Sequence, residues 1–297
     1  MTDLSRSFPI PVVTVGPGSQ PPEEEAQDFD FLPLPNAVDT FNAPPVISTS
    51  TAAKAPVLAL LRQAVLALQD TARARAGAVV LPVQGLDHEA QALLAQVMGE
   101  GEVSAQIGLP DGRSLQIQET VYTGIWRVLE LDVAGRVCAD HLEVASVPAA
   151  VTREAARASA MHAQSPPVQG HELINGPSIA SEIIAAHEAA VASDGAHSHV
   201  VNFTLLPVTA DDMAWLNRMI GGGPVGIFSR GYGKCVVTST GLRHVWRVRY
   251  FDGMNKTLLD TLEITRAPEV VQAAAEDLAD TRERLHELIT WLERDDV

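Results

Sequence analysis

A long internal repeat is the feature that most constrains how this chain can fold. The segment IQETVYTGIWRVLELDVAGRVCADHLEVASVPAAV starts at Ile117 and aligns with VTSTGLRHVWRVRYFDGMNKTLLDTLEITRAPEVV, which starts at Val237. Upstream, LLAQVMGEGEV resembles WLNRMIGGGPV with a shift of two residues. The matched pairs include Trp126 with Trp246, Arg127 with Arg247, Asp140 with Asp260, and Glu143 with Glu263. A repeat with a spacing of about 120 residues predicts two copies of one folding unit.

Each copy shows the same order of predicted elements. A short strand that ends in LPV precedes a helix, at about 87–98 in the first copy and about 210–220 in the second, and glycines suited to a helix C-terminus come next. Alternating apolar residues then predict several strands, and a proline, Pro148 or Pro268, opens a further helix. The sequence therefore predicts an α+β fold of two tandem, related helix-plus-antiparallel-sheet units. Duplication also suggests a pseudo-twofold axis and a groove between the halves.

Composition divides the chain into four segments. The first residues are rich in Pro, Gly, Ser and acidic side chains, which predicts a disordered or loosely docked tail, with a small apolar island at Phe29, Phe31 and Leu32. Helical periodicity begins behind Pro56, and Ser178 is expected to cap a later helix. The predicted segments are a tail at 1–50, a first repeat unit with its leading helix at 51–165, a linker helix and loop at 166–200, and a second unit at 201–297.

The last helix, at about 268–294, carries one apolar stripe and is expected to pack across the sheet.

Charge and composition narrow the classes of partner. With 21 Lys plus Arg against 37 Asp plus Glu, the formal charge of -16 predicts repulsion from nucleic acid and from anionic membranes, and favours a basic peptide or protein. The first residues do not show the charged start and apolar h-region of a signal peptide, and no uninterrupted apolar run is long enough to span a membrane. We therefore expect a soluble, cytoplasmic protein without membrane insertion. Two distant cysteines, Cys138 and Cys235, cannot form a disulfide framework or a four-thiolate cluster within one chain.

The string SRGYGKC, from Ser229 to Cys235, is the most unusual short motif. Glycines on both sides of Tyr232 would expose an aromatic ring beside Arg230 and Lys234, as in a recognition loop. The simpler interpretation is a hairpin turn whose tyrosine folds back on the sheet. Cys235 begins a strand, and its repeat counterpart is the apolar Leu115, so burial is expected rather than reactivity.

No pattern in the sequence predicts catalysis, a metal site or a cofactor. His197 and His199 could share one strand face, but no third ligand accompanies them. The string GGGPVG comes after a helix and enters a strand, which is the reverse of a phosphate-binding loop. We expect Arg127 and Arg247 to form cross-strand ion pairs on the next strand, either with Glu143 and Glu263 or with Asp140 and Asp260. The alternative is a charged edge that meets a partner.

The second copy resembles a known family over a long, ordered series of strings. These are TLLPVT, GGGPV, SRGYGKC, HVWRVRYF, LDTLE and APEVVQAAAEDLADTRERLHELITWLE, and FLPLPNAVDTF and ELINGPSI extend the resemblance over most of the chain. The family is the HupH/HoxQ/HyaF group of accessory proteins for uptake nickel-iron hydrogenases. One departure is Lys234, where the family commonly has a small polar residue such as Asn.

The resemblance implies a non-catalytic, cytoplasmic maturation factor, or chaperone. Its implied partners are the precursor of the hydrogenase iron-sulfur small subunit, before export, and a thioredoxin-like accessory protein. Two alternatives stay open, namely a redox or iron-sulfur assembly factor that uses Cys235, and a module that bridges other accessory proteins. The partner-binding candidates are the family motif positions Arg230, Gly231, Tyr232, Gly233, Cys235, Trp246, Arg247, Tyr250, Asp260 and Glu263.

Overall fold

The fold is taken from a computed structural model that describes residues 50–72, 77–160, 173–230 and 233–294. The predicted tail and its Phe29 to Leu32 island lie outside the described residues. Both repeat units belong to one compact unit. The α+β class with two tandem units is confirmed, and all ladders between the named strands are antiparallel.

The first half contains three helices and five strands within its described residues. In chain order these are α1 (Thr51–Ala72), β1 (Val79–Pro82), α2 (His88–Met98), β2 (Val103–Gly108), β3 (Ser114–Glu119), β4 (Ile125–Leu131), β5 (Val137–Val144) and α3 (Ala149–Arg157). The side chain of Asp87 caps α2, and Gly99 ends it with a φ of 54°. The predicted helix at about 87–98 is therefore confirmed.

The second half repeats this order up to its last strand. Its elements are α4 (Gly176–Ala192), β6 (His199–Asn202), α5 (Ala210–Ile220), β7 (Gly222–Ser229), β8 (Lys234–Thr240), β9 (Val245–Phe251), β10 (Thr257–Ile264), a 3₁₀ turn (Glu269–Val271) and α6 (Ala275–Leu292). A reciprocal capping box between Thr209 and Asp212 starts α5, and Gly221 ends it with a φ of 64°. The predicted helix at about 210–220 is confirmed.

The two halves join edge to edge in one ten-stranded sheet with the order β1-β5-β4-β3-β2-β7-β8-β9-β10-β6. At the junction Ala105 of β2 pairs with Ile227 of β7, and these two residues are counterparts in the repeat. The pseudo-twofold axis therefore passes through this pair. Where a groove was expected, the strands hydrogen-bond directly, and α3 packs on both β2 and β7.

Side chains on the two faces of the sheet enter different apolar clusters, because neighbouring residues of a strand point to opposite faces. On one face, Trp126, Ile117, Ile227 and Trp246 belong to a central cluster that α3 and the 3₁₀ turn help to cover. On the opposite face, one cluster lies under α1, α2 and α6, and another under α4 and α5. We call the side of the central cluster the inner face, and the opposite side the helix face.

The C-terminal helix corrects one expectation. It begins at Ala275 and not at Pro268, because the residues after Pro268 form only a 3₁₀ turn. The helix does not pack across the sheet of its own half, since Leu278, Leu285 and Ile289 join the cluster of the first half with α1. An apolar stripe predicts burial but does not identify its partner.

Three boundaries also differ from the predictions. Helix α1 starts at Thr51 and contains Pro56 in its second turn, and α4 starts at Gly176 with Pro177 in its first turn, ahead of the expected Ser178 cap. Strand β6 ends at Asn202, before the LPV string, because a turn begins at Phe203. Pro177 loses little at the start of α4, since the first amide groups of a helix lack an intrahelical acceptor. Pro56 is the sixth residue of α1 and removes an amide that would otherwise donate within the helix.

Helix α1 has a 19-residue stretch, Thr51–Gln69, that is long and apolar enough to cross a membrane by length and composition alone. In this fold the stretch has another explanation. Its apolar side chains lie in the first-half cluster against α2 and α6, where Leu61 and Val57 are fully buried.

Candidate functional site

The motif positions singled out in the sequence are divided between both faces of the second half and one loop. Cys235, Trp246, Tyr250 and Glu263 lie on the inner face. Arg247 and Asp260 lie on the helix face, while Arg230 and Gly233 lie in the connection between β7 and β8. Gly231 and Tyr232 fall outside the described residues. The structure therefore places four of the candidates on the same face of the sheet.

Cys235 and Tyr250 form the middle of this inner-face group. They are direct cross-strand partners on β8 and β9, with the tyrosine hydroxyl hydrogen-bonded to the thiol. Burial raises the pKa of the Cys235 thiol to about 11, and burial together with the neighbouring thiol raises the pKa of Tyr250 to about 12. The expected burial of Cys235 is confirmed, since only 3% of the residue is exposed. Both groups are protonated near neutral pH, so the thiol is a weak nucleophile and metal ligand.

Glu263 lies two strands from Cys235, on β10 opposite Trp246. Burial raises the pKa of its carboxyl group, and the nearby Glu269 raises it further. The Trp246 indole N–H donates to the carbonyl oxygen of Thr265 over 3.2 Å and so fixes the strand end beside the carboxylate. The inner-face group therefore combines an acid, a phenol and a thiol on a rigid sheet.

Arg247 forms the expected cross-strand ion pair on the helix face. Its guanidinium donates to both carboxylate oxygens of Asp260, at 2.8 and 2.5 Å. It also donates to Asn217 Oδ1 of α5 over 2.9 Å and lies 5.7 Å from the centre of the Phe203 ring. This arginine therefore joins α5 to the sheet and is already occupied by contacts within its own half.

The first half repeats this ion pair in a more exposed form. Arg127 binds both oxygens of Asp140, at 3.2 and 2.8 Å, but 44% of its side chain is exposed, against 21% for Arg247. The counterparts of Asn217 and Phe203 are Ala95 and Val83, which cannot bind a guanidinium. The cross-strand pairs are confirmed in both halves, and their surroundings differ.

The connection between β7 and β8 is tied down at both ends. The Arg230 N–H donates to the carbonyl oxygen of Glu102 over 3.1 Å, and Lys234 Nζ donates to Asn255 Oδ1 over 2.7 Å. The lysine that departs from the family pattern thus bridges this connection to the turn between β9 and β10.

The candidate histidines are not part of the inner-face group, since His199 faces α4 on the opposite side of the sheet. His199 Nε2 is 2.8 Å from a carboxylate oxygen of Glu182 on α4, and the His197 N–H donates to the hydroxyl of Ser193. Within the described ranges, no group of three His, Cys, Asp or Glu side chains is placed to hold a metal ion.

Comparison with known proteins identifies the family. A profile described as the C-terminal conserved region of the HupH hydrogenase expression protein matches residues 51–164 and again 173–292, once in each half. The chain belongs to the HupH family. The resemblance found in the sequence is therefore confirmed, and the second match shows that the family region itself is the duplicated unit.

Named relatives align with nearly the whole chain. A hydrogenase expression/formation protein HupH from Rhodobacter capsulatus is 37% identical over 95% of this chain and 98% of its own length. HoxQ from Cupriavidus necator, with the same description, is 38% identical over 96% and 98%. The hydrogenase-1 operon protein HyaF of Escherichia coli is 34% identical over 94% and 95%.

A solved structure of a HupH hydrogenase expression protein from Thiobacillus denitrificans covers 39% of this chain and 95% of its own, with 22% identity and a TM-score of 0.36.

A pocket of about 690 Å³ lies beside Glu263 in this HupH-family chain, and no motif in the sequence predicted it. Residues of β9 and β10, residues at the start of β6 and the segment after β10 line it, namely Ser198, Val200, Tyr250, Glu263, Thr265, Ala267, Glu269, Val270 and Gln272. A signal for it was present in the repeat. Glu269 stands where the first half has Ala149, so a second acidic group appears beside an acid that both halves share.

Proposed function

We propose that this protein is a non-catalytic maturation factor for the iron-sulfur small subunit of a membrane-bound uptake nickel-iron hydrogenase. It holds the precursor of that subunit in the cytoplasm before export, together with a thioredoxin-like accessory protein. The observation that carries the proposal is family membership over both halves, since the relatives from Rhodobacter capsulatus and Cupriavidus necator are hydrogenase expression/formation proteins.

The chemistry of the inner-face group supports a binding role rather than a reaction. A thiol with a pKa near 11 is almost entirely protonated at neutral pH, which disfavours nucleophilic attack and cluster ligation by Cys235. Its hydrogen-bond partner is the hydroxyl of Tyr250, whose pKa is raised to about 12, so this phenol stays protonated at neutral pH and cannot take up the thiol proton. We therefore rank the Cys235-dependent redox or assembly factor below the chaperone, and the bridging module remains a variant of the binding role.

Charge supports a basic client. The formal charge of -16 favours association with a positively charged polypeptide, and exposed charges attract less as salt is added. An acidic protein of this kind suits a precursor with a basic signal peptide. Binding should therefore weaken between low and physiological ionic strength.

The proposal is tested by affinity purification from cells that express the whole hydrogenase system. The tagged protein should recover the small-subunit precursor, or its complex with the thioredoxin-like protein, in preference to mature, membrane-attached hydrogenase. Equal recovery of mature enzyme, or recovery of neither partner, would contradict the chaperone role. Binding that does not respond to salt would discard only the electrostatic part and point to an apolar contact.

A pair of variants separates the chaperone from its thiol-dependent rival. Cys235→Ser keeps the shape of a buried side chain and should largely preserve hydrogenase maturation, whereas Tyr232→Ala removes the aromatic ring of the proposed recognition loop and should reduce it more. The opposite order would favour thiol chemistry.

A further inference from the structure

The pocket beside Glu263 lies on the inner face at the outer edge of the second half. Strands β9 and β10 contribute Tyr250 and Glu263, the edge strand β6 contributes Val200, and the turn after β10 contributes Glu269. Val200 is 52% exposed, so the pocket opens to solvent along the sheet edge. The site therefore has two carboxylates and one aromatic ring accessible from outside.

In the first half, the acid at the position equivalent to Glu263 has a hydrogen-bond donor. Glu143, the counterpart of Glu263, is 4% exposed and accepts a hydrogen bond of 2.6 Å from the Ala149 N–H. That amide begins α3, whose N-terminal end carries partial positive charge. In the first copy, the carboxylate of Glu143 thus accepts a hydrogen bond from an amide that carries partial positive charge.

The second half lacks this donor. After β10 the chain makes only the 3₁₀ turn Glu269–Val271 and then leaves to form α6 on the other half. Among the described residues, no group donates a hydrogen bond to Glu263, whose pKa is raised by burial and by Glu269. The half-buried carboxylate therefore keeps its acceptor oxygens free, beside a second acid in place of Ala149.

We propose that this pocket binds an arginine side chain of a partner polypeptide, with Glu263 and Glu269 as its acceptors. A guanidinium supplies paired N–H donors that match a carboxylate and a planar surface that stacks on an aromatic ring such as Tyr250. Its full positive charge offsets two neighbouring carboxylates, which a neutral donor does not. The proposal rests on the proposed function only for the identity of the partner, not for the chemistry of the pocket.

The duplicated tryptophans provide a matched pair of reporters for a test. The Trp246 indole N–H donates to Thr265, which lines the pocket, and the Trp126 indole N–H donates to Ala145 at the equivalent place in the first half. The purified full chain is titrated with acetyl-Gly-Arg-Gly-amide while both indole signals are followed by ¹H–¹⁵N NMR. The Trp246 signal should shift to saturation and the Trp126 signal should stay in place. The same peptide with citrulline, the neutral isostere of arginine, should cause no shift.

Two variants assign the binding to the carboxylate. Glu263→Gln should weaken the peptide at least about tenfold, whereas Glu188→Gln, which removes the same charge from the exposed face of α4, should leave it unchanged. Glu263→Gln should also keep the melting temperature, because an ionised Glu263 is disfavoured beside Glu269 in the fold.

Equal binding by Glu263→Gln, equal binding of the citrulline peptide, or no shift of Trp246 at millimolar peptide would each overturn the proposal. None of these results touches the affinity purification, so a failed pocket and a failed chaperone role can be told apart.

Discussion

Glu143 and Glu263 occupy the same place in two copies of one fold, yet their surroundings have opposite consequences. In the first half the helix α3 closes over the carboxylate and supplies its donor at 2.6 Å. In the second half the 3₁₀ turn leaves the carboxylate beside Glu269 at an open pocket. A duplicated sheet thus keeps one copy of an acidic group for structure and makes the other available for a ligand.

The C-terminal helix sharpens this comparison, because it belongs to the second half in sequence and to the first in packing. Leu285→Ala removes a side chain that is fully buried against α1 and should cost about 2–5 kcal/mol of unfolding free energy. Hydrogen exchange should show a greater loss of protection in α1 than in α4. The matched variant Leu262→Ala, fully buried under α4 and α5, should reverse that order. Equal loss in both helices after either change would contradict the assignment of α6 to the first half.

Asp212 marks a second difference between the halves, since its counterpart is Ala90. It is fully buried and accepts hydrogen bonds from the N–H groups of Ile174, Gly176 and Thr209, among others. Burial raises the pKa of its carboxyl group, but these bonds outweigh that effect and lower it. Its contribution to stability is therefore present above its ordinary pKa of 3.8 and is lost as the pH falls through the lower folded value.

Asp212→Ala leaves several buried amides without an acceptor and should cost about 3 kcal/mol at pH 7, measured by urea denaturation. Asp211→Asn, one residue earlier and exposed, should cost less than about 1 kcal/mol. Similar costs for the two variants would show that Asp212 does not hold the start of α4 on α5.

Glu119 is a buried acid that only the first half has at its position, and its pKa is raised, whereas that of Asp212 is lowered. Burial raises the pKa of Glu119 from 4.5 to about 7, while its counterpart Ser239 accepts a hydrogen bond of 3.0 Å from Val225 and does not titrate in this range. The folded state binds the Glu119 proton more tightly than the unfolded chain, so its contribution to stability is largest below pH 4.5 and falls as the pH rises to about 7.

The change in unfolding free energy caused by Glu119→Gln should therefore be more favourable at pH 8 than at pH 5. We expect the difference to be about 1–2 kcal/mol after allowance for partial solvent screening. Ser239→Ala should have the same effect at both pH values. Denaturant melts of the two variants at pH 5 and pH 8 make the comparison, and a pH-independent effect of Glu119→Gln would rule out this role.

The two cross-strand arginines should give the smallest difference. Arg247→Ala loses contacts with Asp260, Asn217 and the ring of Phe203, and should cost about 1–2 kcal/mol. Arg127→Ala breaks a more exposed pair and should cost about 0.5 kcal/mol. Thermal or chemical melts at low and high salt would measure both, and a larger cost for Arg127 would contradict the difference in burial.

The repeat predicted much of the local structure, because helix ends and strand faces depend on nearby residues. The sequence predicted the helices that end at Gly99 and Gly221, and it predicted the cross-strand ion pairs of Arg127 and Arg247. The way in which the two halves join could not be predicted from the sequence, because the pairing of Ala105 with Ile227 is set by contacts distant in sequence.

The candidate site was only partly predictable for the same reason. Glu143 and Glu263 match in sequence, and their surroundings differ because the next element is a full helix in one copy and a short turn in the other. The exchange of Ala149 for Glu269 was visible, but a single exchange does not show whether a helix covers the carboxylate. The place of α6 was equally hidden, because its apolar stripe fits either half.

The central claim is that the second half, and not the first, meets the partner through its open acidic position. The most direct test compares Glu263→Gln with Glu143→Gln for recovery of the small-subunit precursor by the tagged protein, normalised to folded protein. Glu263→Gln should recover about tenfold less precursor than the parent, while Glu143→Gln, which loses the same charge at the equivalent strand position, should recover as much as the parent. Equal recovery by the two variants, or a loss confined to Glu143→Gln, would contradict the account.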